Sequence, residues 1–221
     1  MSAVLQRFDS LPWRERAFVR GRLWTAPLHA VAPRVPPGRV LDVGCGHGAM
    51  AALLLERGAT EVKGIDVDPR KVEWAKASVG RDARATFEYV SIEALAAREP
   101  HAYDAVLAID VLYLLPPAAQ VSFLQAAREL LRPGGVVLVH EAEADGSWKQ
   151  TKCEWQEWLV VSVLGRTTSS GSLGLATAAA RAASFSDAGL RLRDTVRLGR
   201  GYTTPHVLYE ATVAPAAPNA P

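Results

Sequence analysis

From Gly38 onward, short apolar runs alternate with longer stretches whose apolar residues recur at helical spacing. VLDV (40–43), VKGIDV (62–67), TFEYV (86–90), AYDAVLAI (102–109) and VVLVHE (136–141) read as strands dominated by Val, Ile and Leu. Ala49–Arg57, closed by Gly58, reads as a helix, and Asp68-Pro69 opens another with Asp as cap and Pro in the first turn. Pro116-Pro117 starts a third, whose Val121, Leu124, Ala127 and Leu131 keep one apolar face until Pro133-Gly134-Gly135. Near-continuous apolar strands separated by helices predict a parallel sheet covered on both faces. The rhythm then changes: LRLRDTVRL (190–198) alternates apolar and charged residues like an edge strand, and HVLYEATV (206–213) pairs with it across a Gly199–Pro205 loop. The expected fold is α/β and doubly wound, a seven-stranded, mainly parallel sheet ending in an antiparallel hairpin.

With 221 residues, 49% of them hydrophobic and 22% charged, the chain has the size and composition of one globular domain. No apolar run reaches the roughly 18 residues of a membrane span. The start lacks the apolar core of a secretory signal, so a cytoplasmic protein is expected. Two cysteines, Cys45 and Cys153, support neither a disulfide framework nor a zinc site. The net charge of +2 is unevenly spread: residues 1–39 hold seven arginines against Asp9 and Glu15, a local +5. The domain organisation expected is an N-terminal helical arm or lid (1–37), a main domain (38–213) with an inserted lid (142–175), and a tail (214–221).

The sharpest local signal is VLDVGCGHG (40–48), a strand running through Gly44, Gly46 and Gly48 into a helix. Glycines there permit a tight turn and close approach of a ligand to bare backbone, and the helix start offers free N–H groups. Gly44, Gly46 and Ala49 also satisfy the relaxed dinucleotide pattern, with Asp66 22 residues after Gly44 as a ribose-binding carboxylate. Two features point away from a dinucleotide. Asp42, two residues before the first glycine, would repel a pyrophosphate but suit an ammonium or sulfonium. The terminal antiparallel hairpin also departs from the six-strand all-parallel order.

In this arrangement the sequence resembles the class I S-adenosylmethionine-dependent methyltransferases over about residues 38–213. The motifs VLDVGCGHG, GIDVDP (64–69), FEYVSIEAL (87–95), YDAVLAIDVLYLL (103–115) and LLRPGGVVLVHE (130–141) stand in the family's order. The resemblance implies S-adenosyl-L-methionine as cofactor. It implies that the 44–48 loop, including Cys45 and His47, wraps the methionine part, and that Asp42 organises its amino group. Asp66 would hold the ribose hydroxyls, Val67 and Ile92 would sandwich the adenine, and Ile109 and Asp110 would lie near the methyl. Ser91 stands where many members carry an acidic residue facing the adenine amino group, so that contact departs from the pattern.

Methyl transfer requires alignment of the nucleophile and exclusion of water, so the residues covering the acceptor decide function. An oxygen acceptor would lose a proton, and His140, Glu141, Asp110 and His206 are the candidate bases. Neighbours on a strand face opposite ways, so at most one of His140 and Glu141 enters the site. Substrate contacts are expected from Trp13, Tyr113, Trp148, Lys149, Trp155 and Tyr202. Ser10 can cap an arm helix carrying Trp13, Ala17, Phe18 and Trp24. Asp110, Glu141, Glu143 and Asp145 match no defensible cation spacing, so no metal is expected. A looser likeness to small bacterial methyltransferases of natural-product or lipid-like pathways favours a small, partly apolar acceptor methylated on oxygen. The alternatives are a C- or N-methyltransferase, an NAD-dependent oxidoreductase, or a non-catalytic cofactor-binding module whose basic arm contacts RNA or an acidic partner.

Overall fold

A computed structural model describes residues 2–142, 176–198 and 206–214. A seven-stranded sheet has the order β3-β2-β1-β4-β5-β7-β6, with β1 Arg39–Val43, β2 Glu61–Asp66, β3 Ala85–Tyr89, β4 Tyr103–Ile109, β5 Leu131–Ala142, β6 Leu190–Arg197 and β7 His206–Val213. The first five strands are mutually parallel; β7 runs antiparallel between β5 and β6. The strand order reverses at β1/β4, the switch point where open α/β sheets bind ligands beyond their C-terminal strand ends.

Eight α-helices among the described residues cover the sheet: α1 Ser2–Gln6, α2 Trp13–Thr25, α3 Leu28–Val31, α4 Ala49–Glu56, α5 Pro69–Ala77, α6 Ile92–Arg98, α7 Pro117–Leu130 and α8 Ala178–Asp187. Two apolar cores result. One joins Val40, Leu107, Leu138 and Leu208 to α4 and to the arm residues Phe8, Val19, Leu23 and Leu28. The other joins Leu41, Val106, Val137 and Tyr209 to Leu95, Leu124 and Phe185. The arm is therefore built into the first core. No described helix is long and apolar enough to cross a membrane.

Local chemistry explains most boundaries. The Asp68 side chain accepts from the Arg70 amide and starts α5, and Pro69 fits its first turn. In the arm, by contrast, α2 begins after Pro12, and the Ser10 hydroxyl donates to the Ala77 carbonyl. Ser10 is thus not the cap expected of it, because proline starts the helix without needing a side-chain partner. The 143–175 stretch and the 199–205 loop lie outside the described residues, as do Trp148, Lys149, Trp155 and Tyr202.

Candidate active site

Strand register decides which polar side chains share a face. Asp42 pairs with Gly64 on one side and Leu107 on the other, and Leu107 pairs with Leu138. Strand alternation then puts Asp42, Asp66 and His140 on the same face, the one covered by the arm. His206 lies opposite Ala142, two residues from His140 and so on that face too. Glu141 falls on the other face. There Arg181 of α8 forks onto its carboxylate at 2.6 and 2.9 Å and donates to Gln120 at 2.8 Å, with Arg181 and Glu141 both fully buried. The structure removes Glu141 from the candidate bases: it is one half of a buried ion pair that ties α8 to β5 and α7.

The glycine loop leaves β1 in left-handed backbone, with φ of 70° at Gly44, 54° at Gly46 and 83° at Gly48. A side chain at Gly44 would collide with Val111, whereas one at Gly46 would meet nothing within 4 Å, so the loop is packed below and open above. Gly48 caps α4. The Asp66 carboxylate accepts from the Gly46 and Asp68 amides at 2.9 Å each, which orients it across the loop and leaves further lone pairs for hydroxyl donors. Below the loop, Asp42 is 2% exposed and its Oδ2 finds no hydrogen-bond donor among the described residues. Burial, then the neighbouring Asp66 charge, push its pKa up to about 7. An orphaned, reluctantly ionised carboxylate under an open backbone cradle fits a ligand that brings its own positive charge. Cys45, buried beside these carboxylates, has its thiol pushed well up and is inert filler. Val67 is 63% exposed at the end of β2, while Ile92 is buried in the first turn of α6. The Ser91 hydroxyl accepts from the Ala94 amide as the cap of α6, which accounts for a hydroxyl at this position.

On the acceptor side, β4 ends at Ile109, and Asp110 follows with φ of 57°, a conformation that Asp tolerates better than most residues. Its amide donates to the His140 carbonyl at 2.8 Å, and its Oδ1 lies 3.0 Å from His140 Nδ1. Its Oδ2 meets Arg22 of α2 at 2.5 Å. Against the cost of burial, Arg22 and then His140 hold the Asp110 carboxyl well below the usual carboxylate range. The buried His140 ring stacks on His206 with centroids 5.1 Å apart, and burial pushes the His206 imidazole down to about 4. Tyr113 is buried in the one-turn 3-10 helix just after Asp110. Asp110, His140 and His206 also offer three donor atoms within 4.8 Å of one another. The Arg22 guanidinium already places a positive charge against this cluster, so a divalent ion would meet a like charge there.

The arm reaches both halves of the site. Glu15 lies 2.8 Å from His47 Nε2, the Phe18 ring sits 5.3 Å from the His47 ring, and Arg22 meets Asp110. These three residues, spaced i, i+3 and i+7, form one stripe of α2, and that spacing was the available sequence signal for them. Trp13 lies off this stripe: it is 68% exposed beneath the Arg14 guanidinium, not at the site. The basic patch is also largely neutralised. Arg7 pairs with Glu56 and Asp82, Arg16 with Asp9, Arg34 with Asp194 and Glu210, and Arg39 with Glu61 and Glu99.

The sheet order, the glycine loop and the chemistry at the strand ends are those of the class I methyltransferases, and residues 13–180 match the family described as a methyltransferase domain. The chain belongs to that family. It is 38% identical over 101 residues to a ubiquinone biosynthesis O-methyltransferase of Neisseria meningitidis, covering 45% of this chain and 42% of the relative. A protein of the same name from Xanthomonas campestris pv. campestris is 32% identical over 139 residues, 56% of this chain and 57% of the relative. The chain thus spans about half the length of the curated relatives it matches. Among solved structures, the Burkholderia thailandensis 1,6-didemethyltoxoflavin-N1-methyltransferase, with bound 1,6-didemethyltoxoflavin and S-adenosylhomocysteine, superposes with a TM-score of 0.67 at 20% identity. That match covers 97% of this chain and 89% of the other.

Proposed function

We propose that this chain is an S-adenosylmethionine-dependent methyltransferase acting on oxygen of a small, partly apolar acceptor. The observation that carries the reading is Asp42, buried with an unpartnered carboxylate oxygen beneath the open glycine loop, on the same sheet face as His140, whose ring meets Asp110 at 3.0 Å. S-adenosylmethionine supplies a methyl already activated on a sulfonium. Asp42 takes the α-ammonium, Asp66 the ribose hydroxyls, Val67 and Ile92 the adenine faces, and the 44–48 backbone the methionine end. Ile109 and Asp110 border the methyl.

His140 is the base of this reading. The ionised Asp110 carboxylate, 3.0 Å from His140 Nδ1, favours the tautomer that carries its proton on Nδ1, which leaves the lone pair on Nε2 to take the acceptor's hydroxyl proton. His206 stays neutral at physiological pH and packs the imidazole in place. The arm helix covers the mouth and keeps water from the nucleophile. Oxygen is favoured as acceptor atom because the matched relatives are named as O-methyltransferases. A nitrogen acceptor is the second reading, motivated by the toxoflavin N-methyltransferase of the same fold.

The test is a thermal-shift titration with S-adenosylhomocysteine and with NAD, followed by transfer of labelled methyl to a panel of phenols, carboxylates and amines. S-adenosylhomocysteine is expected to raise the melting temperature and NAD is not. Stabilisation by NAD alone would overturn the cofactor assignment, and transfer only to amines would overturn the oxygen assignment.

A further inference from the structure

We propose that Arg22 is a positioning residue of the methyl-transfer site: borne on the arm helix, it holds the Asp110 carboxylate in the orientation that aligns His140, so that docking of α2 completes the base. The inference rests on the reading of His140 as base, and it extends that reading to a residue outside the strand ends and their loops.

Three observations converge on it. The Asp110 carboxylate is shared, with Oδ2 on the Arg22 guanidinium and Oδ1 on His140 Nδ1. It projects from a left-handed backbone position, where the side chain has no regular neighbour in a strand or helix to fix its rotamer, so its two ionic partners do so. Finally, α2 cannot rotate freely about its axis. Val19 and Leu23 are buried in the core beneath it, while Phe18 and Glu15 engage His47 one and two turns earlier. The helix therefore delivers Arg22 in a fixed register.

The electrostatics give the contact a consequence beyond packing. His140 is faced by Asp110 from the end of β4, by Arg22 from α2 and by His206 from β7. Glu141, on its own strand, points to the other face and is neutralised by Arg181. Of these groups, Arg22 is the permanent cation. Without it, the Asp110 charge acts on the imidazole uncompensated, and the imidazolium is favoured. An imidazolium cannot accept the acceptor's proton.

The experiment compares Arg22→Gln and Arg22→Lys with two other α2 variants, Glu15→Gln, which loosens the hold on His47 without touching Asp110, and Arg20→Gln, an exposed control. Two readouts are used: pH–rate profiles of methyl transfer, and NMR titration of the histidine side chains in the apoprotein. Arg22→Gln should lower kcat roughly 10- to 100-fold with KM for the cofactor changed less than about threefold. Its acid limb and the histidine titration of the apoprotein should both move to higher pH. Arg22→Lys should restore the pH profile and part of kcat. An Arg22→Gln protein with the wild-type profile and titration overturns the proposal, as does a Glu15→Gln protein that reproduces the whole shift, since helix docking alone would then be the cause. Wild-type protein that transfers no methyl overturns the proposed function instead, and the apoprotein titration still tests Arg22.

Discussion

Asp42 offers a test that needs no acceptor. In the folded apoprotein its pKa rises from 3.8 to about 7 through burial and the Asp66 charge. The folded state therefore holds a proton that the unfolded chain releases, so this group's stabilising contribution is complete below about pH 4 and is lost as pH climbs through about 7. The span corresponds to roughly 4 kcal/mol as an upper bound, because each pKa unit is worth about 1.4 kcal/mol. Asp42→Asn removes the titration while keeping the shape. Melting temperatures of wild type and variant should agree most closely near pH 4–5 and diverge toward pH 8, with the variant ahead by up to roughly 10 °C for a chain of this size. On the proposed reading Asp42 pairs with the α-ammonium of S-adenosylhomocysteine, so that ligand's stabilisation of the wild type should grow over the same interval. Its affinity for the variant should fall roughly 10- to 100-fold. Taking differences between the two proteins cancels the other titrating groups. Parallel melting curves from pH 5 to 8, with equal shifts by S-adenosylhomocysteine, would refute the reasoning.

Three further outcomes separate chemistry from architecture. His140→Gln should reduce kcat by roughly 10²- to 10⁴-fold and leave S-adenosylhomocysteine affinity within about twofold, checked by single-turnover transfer and calorimetry; unchanged turnover would move the proton elsewhere. Glu141→Gln should destabilise the fold by roughly 3–5 kcal/mol, measured by urea denaturation, because Arg181 is left buried without its counter-charge. The protein that remains folded should keep its cofactor affinity, and a stable but cofactor-blind variant would place Glu141 in the site after all. Gly44→Ala should cost about 1–3 kcal/mol and cofactor binding together, since φ of 70° disfavours a side chain and the added carbon meets Val111. A stable variant with normal affinity would show that the loop tolerates rearrangement.

The sheet was largely legible in the sequence because a parallel sheet covered on both faces writes its strands as unbroken Val, Ile and Leu runs. The alternation in 190–198 likewise marks an edge strand that has one wet face. The proximity of Gly44, Gly46, Asp42 and Asp66 was legible for a related reason: they lie on consecutive β–α units whose strands pair side by side. Strand parity also limited the choice between His140 and Glu141, but deciding it needed the partner. Arg181, 40 residues further along, and Gln120 from a different helix define which face is the dry one. Arg22 was harder still. Its partner Asp110 is 88 residues away, and in the sequence the arginine is one of seven in a segment whose bulk charge drew attention to nucleic acid. Ion pairing offsets much of that charge. A net local charge reports on binding only when the counter-charges are not supplied by the fold, and here Glu56, Asp82, Asp110, Glu210, Glu61 and Glu99 supply them. Arg7, Arg22 and Arg34 consequently act as fasteners between the N-terminal segment and the rest of the fold, and Arg22 is the one whose fastening point lies at the candidate base.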